Sequence, residues 1–342
     1  MLFTLKIIHI VPGFEEGGVE RYVLELCREQ ISSGHEVTLA SCGGRLEKFL
    51  PSSVRLIHIP VHRKNLFTGL YCAKRIISSG KWDILHAHSR VPAFVSWAVS
   101  SRAKTPWIMT AHAQYSLNLG IMPLKHADGV ICVSDSVRRH LESYLPPLNA
   151  TIPNGVTEPS AKWEGKYFPD NKKFLYVGRL THLKGLDVAL KALEPLKSYG
   201  WTLDVLGDGP QRSELESLVK DLGLSERVKF YGFRDDAEKF MSRAACLIFP
   251  SYQEGFPLTI NEALAVGVPV LASDIEALRP LSSGELIQPG DVPAWTEAIR
   301  RVIDGGKASP LSAEKLTKFS ETARKTEEFY GRVISGESAS LC

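Results

Sequence analysis

From Leu5 onward, short apolar runs alternate with segments whose apolar positions recur every three to four residues. LKIIHIV, EVTLAS, RLIHIPV, ILHAH, WIMTAH and GVICVS read as strands, and VERYVLELCREQIS, closed by Gly34, reads as an amphipathic helix between the first two. Strands alternating with helices predict an α/β chain with a parallel, doubly wound sheet. After IPNGV at 152–156, the stretch TEPSAKWEGKYFPDNKK has no period and carries prolines, so it reads as a linker. A second series follows: KFLYVG, a helix from Asp187 whose carboxylate can cap it, TLDVLG, a helix near 213–222, VKFYG, CLIFPS, a helix near 258–266 and PVLAS. Two such domains create a cleft between the carboxyl ends of their strands, where open α/β sheets bind ligands. The last periodic stretch, FSETARKTEEFYGRVI, has no strand after it and is expected to cross back onto the first domain. The expected division is 1–156 completed by a helix at 319–335, a linker at 157–172, and a second domain at 173–318.

The length of 342 residues agrees with two domains, since one core rarely supports so long a chain. The longest apolar runs are strand-sized, short of the roughly 18 residues of a membrane span, and no signal-peptide pattern opens the chain. The expectation is a cytoplasmic protein. Six cysteines without a C-x-x-C point to reduced thiols rather than a disulfide frame or zinc site. The net charge of +3 hides an asymmetry: residues 1–155 hold 17 Lys and Arg against 11 Asp and Glu, and the remainder holds 24 against 27. A positive first half can sit at the inner face of an anionic membrane or near an acidic acceptor, although ordinary scatter of solvated charge gives the same count. No basic-aromatic interleaving of the kind used on nucleic acid stands out.

Three stretches carry candidate chemistry. IIHIVPGFEEGGVERYVLELC at 7–27 is a strand, a glycine loop and a helix, the arrangement that cradles phosphates, but Glu15 and Glu16 would repel a diphosphate. In YVGRLTHLKGLDVAL at 176–190, the strand ends at Gly178, and Arg179 and Lys184 follow it at the carboxyl edge of the sheet. Two cations there suit a diphosphate; surface ion pairs are the alternative. In PSYQEGFPLTINEALAVGVPVLAS at 250–273, Glu254 sits in a Gly-Pro loop and Glu262 on a helix opened by Pro257, whose start can receive a phosphate. A carboxylate can grip a pair of sugar hydroxyls, although turn and helix acids are also often merely solvated. His86 and His88 face one side of a strand and lack a clear third ligand, so they read as a structural or acceptor-side pair, with no metal site.

Together these stretches resemble the retaining glycosyltransferases of the GT-B fold, in the family-four group. GGVER, DILHAHS, TAHA, VICVSDSVRRHL, IPNGV, VGRLTHLKG, LGDGPQRSELE, VKFYGF and the paired-glutamate segment follow in order over nearly the whole chain. The resemblance implies two Rossmann-like domains facing across a cleft and transfer of a sugar from a UDP- or GDP-sugar, with no cofactor. The acceptor would be a glycan or lipid-linked hydroxyl in cell-envelope polysaccharide or glycolipid synthesis. Arg179 and Lys184 would hold the diphosphate beside Gly178, and Glu262 the ribose. Glu254 would lie at the sugar, and the backbone of Gly255, Phe256, Leu258 and Thr259 would line phosphate and sugar. Gly232 and Phe233 would pack by the base, Gly17 and Gly18 would approach the donor from the first domain, and His112 would reach the transferred sugar. The acceptor would attack the face the nucleotide leaves, with the leaving phosphate removing the proton; Glu254 as a covalent nucleophile is the older alternative.

The chain departs from the family pattern after PVLAS, where DIEALRPLSSGELIQPGD puts Pro280 in place of an acid and weakens any site assignment at 274–284. A sugar-nucleotide epimerase and a non-catalytic sugar-nucleotide-binding protein stay open as alternatives. A dehydrogenase is disfavoured because the first loop is not G-x-G-x-x-G and EVTLAS ends without the acid that binds adenosine ribose.

Overall fold

The computed structural model describes residues 4–15, 17–61, 66–167 and 170–336. The chain divides into two compact units, one built from residues up to Gly155 together with those from Thr317 onward, the other running Val156–Leu316.

The first unit contains β1 (Lys6–Ile10), α1 (Gly18–Ser32), β2 (Glu36–Ser41), β3 (Arg55–His58), α2 (Leu66–Ser79), β4 (Ile84–Ala87), α3 (Arg90–Ala103), β5 (Trp107–Ala111), β6 (Gly129–Cys132), α4 (Asp135–Leu141) and β7 (Asn149–Thr151). Its sheet is wholly parallel and ordered β3-β2-β1-β4-β5-β6-β7. β1 and β4 are buried along almost their whole length, as parallel strands covered on both faces must be. β7 escapes the sequence pattern because Asn-Ala-Thr is three half-buried residues with no apolar alternation.

The second unit contains β8 (Lys173–Val177), α5 (Leu186–Leu193), β9 (Thr202–Leu206), α6 (Arg212–Asp221), β10 (Val228–Gly232), α7 (Ala237–Arg243), β11 (Cys246–Phe249), α8 (Leu258–Val266), β12 (Val270–Ala272) and α9 (Val292–Ile303). Its parallel sheet is ordered β10-β9-β8-β11-β12. The polar stretch before β8 is docked on this unit: the Trp163 indole donates to the Ala244 carbonyl at 2.8 Å, and its backbone N–H donates to Val266 at 2.9 Å. Asp187 does not cap α5. The N-cap is Gly185, in the left-handed region, and Asp187 pairs with Lys191 one turn on at 3.0 Å.

The last helix, α10 (Phe319–Ile334), belongs to the first unit. Phe329, Tyr330 and Val333 pack on Ile7, Ile84, Ile108 and Ile131, which project from four neighbouring strands of the first sheet. At roughly 1.5–3 kcal/mol per fully buried large apolar side chain, this contact is a substantial share of a domain's marginal stability.

Candidate active site

In both sheets the connections change direction beside the first strand of the series, between β8 and β11 in the second unit and between β1 and β4 in the first. Such switch points open a crevice at the carboxyl ends of the strands. Most candidate residues lie on the loops there, whereas Gly232 and Phe233 end and follow the edge strand β10. A cavity of about 330 Å³ lined by Lys6, His35, Arg55 and Trp82 lies instead around the strand starts of the first sheet, away from these loops.

At the second unit's switch point, the loop after β8 meets the loop after β11. Gly185 makes the meeting possible: it sits at φ +64°, and a Cβ there would fall 2.2 Å from the Pro250 carbonyl oxygen. The Tyr252 N–H donates to Leu183 at 2.8 Å, and Lys184 Nζ bonds Glu254 Oε1 at 2.5 Å. The Lys184 side chain is 27% exposed and that of Glu254 only 9%. Arg179, on the same loop as Lys184, is exposed and forms no ion pair among the described residues. Gly178 donates its N–H to Leu206 at 3.0 Å, and Gly207, at φ +126°, passes so close that a Cβ would lie 2.0 Å from the Gly178 oxygen.

Pro257 stands one position before the helix, as the N-cap of α8, instead of opening it as its first residue. The Leu258 N–H is already donated to Phe256 at 3.0 Å, which leaves the Thr259 N–H as the donor at the helix start without a backbone partner among the described residues. Gly255, Phe256 and Glu262 are half-buried around this start. Gly232 closes β10 with its carbonyl accepting from Gly207 at 2.8 Å, and the half-buried Phe233 follows it.

At the first unit's switch point the charges are gone. His9 of β1 and His86 of β4 are register partners, and His88 follows on the same face, its ring 4.0 Å from that of His86. His9 Nε2 bonds Gln30 Oε1 at 2.7 Å, His9 Nδ1 bonds His88 Nε2 at 2.9 Å, and His88 Nδ1 bonds His112 Nε2 at 3.2 Å. His86 lies between Thr110 Oγ1 at 2.7 Å and the Tyr330 hydroxyl at 2.6 Å, and Tyr330 in turn accepts from Gln30 Nε2 at 3.1 Å. Burial pushes the imidazole of His9 down to about 4 and that of the half-buried His112 down to about 3; His86 and His88 are also held well below the usual histidine range by burial. All four are neutral near pH 7.

His9, His86 and His88 bring nitrogens within 4.8 Å of one another, close enough to suggest metal ligands. Each of those nitrogens already has a protein partner, and no acidic residue among the described residues joins the group. His9, Gln30, Thr110 and Tyr330 were not singled out by sequence; the available signal was a histidine inside the apolar run IIHI, a buried polar group that must find partners.

The glycine loop after β1 provides its own anion. Gly17 is the N-cap of α1, and a Cβ there would fall 2.1 Å from Glu20 Oε2, so the Glu20 carboxylate already lies at the positive end of the helix. Gly18 is the first, exposed residue of α1. Glu15 accepts from the Arg45 N–H at 3.3 Å, and Glu16 lies outside the described residues.

Two parallel, doubly wound units of this kind define the Rossmann-like architecture of the GT-B fold. The chain belongs to the glycosyl transferases group 1 family: that family's pattern matches residues 158–326, and the glycosyltransferase family 4 pattern matches 16–158. It is 30% identical over 312 residues to a phosphatidyl-myo-inositol mannosyltransferase of Mycobacterium leprae, covering 83% of each protein. It is 34% identical over 228 residues to an exopolysaccharide phosphotransferase of Streptomyces coelicolor, spanning 61% of this chain and 24% of that protein. Its fold matches a glycosyltransferase from Rickettsia africae with a TM-score of 0.81 at 23% identity, covering 98% of this chain and 100% of the other. It also matches Anabaena HepE in complex with UDP-glucose, with a TM-score of 0.74 at 19% identity and 97% of each chain covered.

Proposed function

We propose that the chain is a retaining, metal-independent hexosyltransferase that needs no cofactor and moves a sugar from a UDP- or GDP-sugar to an acceptor hydroxyl. The carrying observation is the Lys184–Glu254 pair at the β8/β11 switch point, with Arg179 exposed on the same loop. A diphosphate would draw Lys184 from Glu254, and Arg179 and Lys184 would then stabilise charge on the departing nucleotide. Glu254, so released, would accept from sugar hydroxyls, and Glu262 from the ribose. Gly178, Gly255, Phe256 and Thr259 would border phosphate and sugar; Leu258 would contribute contact but not its spent N–H. Gly232 and Phe233 are assigned to the base, and Gly17, Gly18 and His112 to the sugar end. Attack on the face the nucleotide leaves, with the phosphate oxygen taking the acceptor proton, uses no protein base.

The acceptor we assign is an envelope glycan or glycolipid, reached at the inner face of an anionic membrane. Residues 66–126 support this. They hold seven Lys and Arg against one acid, together with exposed Phe67 (84%), Tyr71, Trp97 and Leu119 (87%). No helix among the described residues is long and apolar enough to cross a membrane. The test is a thermal-shift screen of nucleotide sugars followed by product analysis with and without acceptor. One nucleotide sugar should raise the midpoint and be consumed only with acceptor, giving an α-linked product from an α-donor. Sugar epimerised without acceptor, or an inverted product, would overturn the reading.

A further inference from the structure

The hydrogen bonds of the first unit's switch point run in one direction, and that direction is carried by the Gln30 amide. Gln30 Nε2–H donates to the Tyr330 oxygen at 3.1 Å. The Tyr330 hydroxyl then donates to His86 Nδ1, which leaves His86 Nε2–H to donate to Thr110 Oγ1. The same amide turns Gln30 Oε1 toward His9 Nε2–H. His9 Nδ1 accepts from His88 Nε2–H, and His88 Nδ1 accepts from His112 Nε2–H. A neutral imidazole has one N–H and one lone pair, so no ring along the file can be reversed alone.

We propose that Gln30 and Tyr330 are positioning residues: the hydrogen bond between them fixes the polarity of the file and holds His112 with the proton on Nε2 and the lone pair on Nδ1. Nδ1 has no hydrogen-bond partner among the described residues. It is an acceptor, suited to a hydroxyl of the transferred sugar and not to a carboxylate, which has no proton to give. The inference rests on the assignment of His112 to the sugar. It also gives α10 a role beyond packing, because Tyr330 lies on that helix.

Histidine ¹⁵N spectra of the full chain, assigned at His112 by the His112→Gln variant, read the tautomer without substrate. The wild-type protein should show a bare Nδ1 and a protonated Nε2 at His112. Gln30→Glu places a carboxylate on His9 Nε2 and draws a second proton onto that ring, which must then donate through Nδ1. His88 and His112 reverse in turn. The expected result at mildly acidic pH is a protonated His112 Nδ1, with kcat down by about tenfold or more and donor KM little changed, since a mispositioned imidazole proton costs turnover rather than binding. If Gln30→Glu fails to fold, Tyr330→Phe frees the Gln30 amide to turn and should give both tautomers at His112. A wild-type Nδ1–H, or an unchanged His112 tautomer in whichever of these variants folds, overturns the proposal. The expected spectra in a protein without transferase activity would overturn the functional assignment and leave the hydrogen-bond file standing.

Discussion

The two switch points of this chain have the same topology and opposite electrostatics. Beside β8 and β11 stand side chains of opposite charge type: Arg179 is exposed, and Lys184 and the largely buried Glu254 are locked on each other. Beside β1 and β4, four imidazoles are packed together and held neutral, each passing a hydrogen bond to the next or to Thr110, Gln30 and Tyr330. The Rossmann-like scaffold therefore decides where a site lies, while a few loop and strand-end residues decide what charge it can stabilise. A diphosphate needs cations that can be uncovered, whereas an uncharged sugar needs fixed donors and acceptors.

The sharpest way to break this contrast is to remove a charge from one side and a neutral ring from the other. Lys184→Ala is expected to lower kcat/KM by about 100- to 1,000-fold, the range for losing one preorganised stabilising group, with the far-UV spectrum unchanged. His112→Ala should cost about 10- to 100-fold, and chiefly in kcat. Equal losses in steady-state assays would remove the distinction between the two switch points. Gly185→Ala tests whether the charged loops need their close approach. With φ at +64° and the Pro250 oxygen 2.2 Å from the new Cβ, the variant should lose about 1–3 kcal/mol, read as a lower urea midpoint.

Acid should weaken the neutral side. Unfolded histidines protonate near 6.5, whereas native His9 resists to about 4 and His112 to about 3. Between those values the unfolded chain binds more protons than the native one. Stability is therefore complete above 6.5 and falls as pH drops through the window, by up to about 1.4 kcal/mol per pH unit for each ring. Urea midpoints that stay flat from about pH 7 to about pH 5 would mean the rings take up protons as readily in the native state as in the unfolded one. The smallest effect belongs to a pair outside both switch points: Lys191→Ala, which loses the one-turn contact with Asp187, should shift stability by only about 0.3–0.5 kcal/mol in the same titration.

Apart from β7, the strands of both sheets are legible in the sequence as apolar runs of strand length, and the charged loops of the second unit as a glycine with a cation or an acid after such a run. α8 is legible to the residue at Leu258–Val266, although its start at Pro257 is not, since only geometry distinguishes a cap from a first helical position. Asp187 misleads for a similar reason. It stands where a cap could stand, but the left-handed Gly185 before it has taken that place. The neutral switch point is hardly legible. Period two puts His86 and His88 on one face, but their partners lie 24 to 244 residues away, and nothing in the apolar run around His9 announces Gln30 or Tyr330.

The position of α10 also bears on how the chain is made. The second unit is one uninterrupted segment, Val156–Leu316, whereas the first is assembled from both sides of it. During synthesis the second unit can complete its fold as soon as its own residues have emerged. The first must wait with Ile7, Ile84, Ile108 and Ile131 uncovered until Phe329, Tyr330 and Val333 arrive. At ordinary rates of roughly 5–20 residues per second, that wait lasts on the order of ten to thirty seconds. A nascent chain stalled just after Leu316 would thus carry a finished second unit behind a sticky, unfinished first one, and would be the species that chaperones and proteases meet.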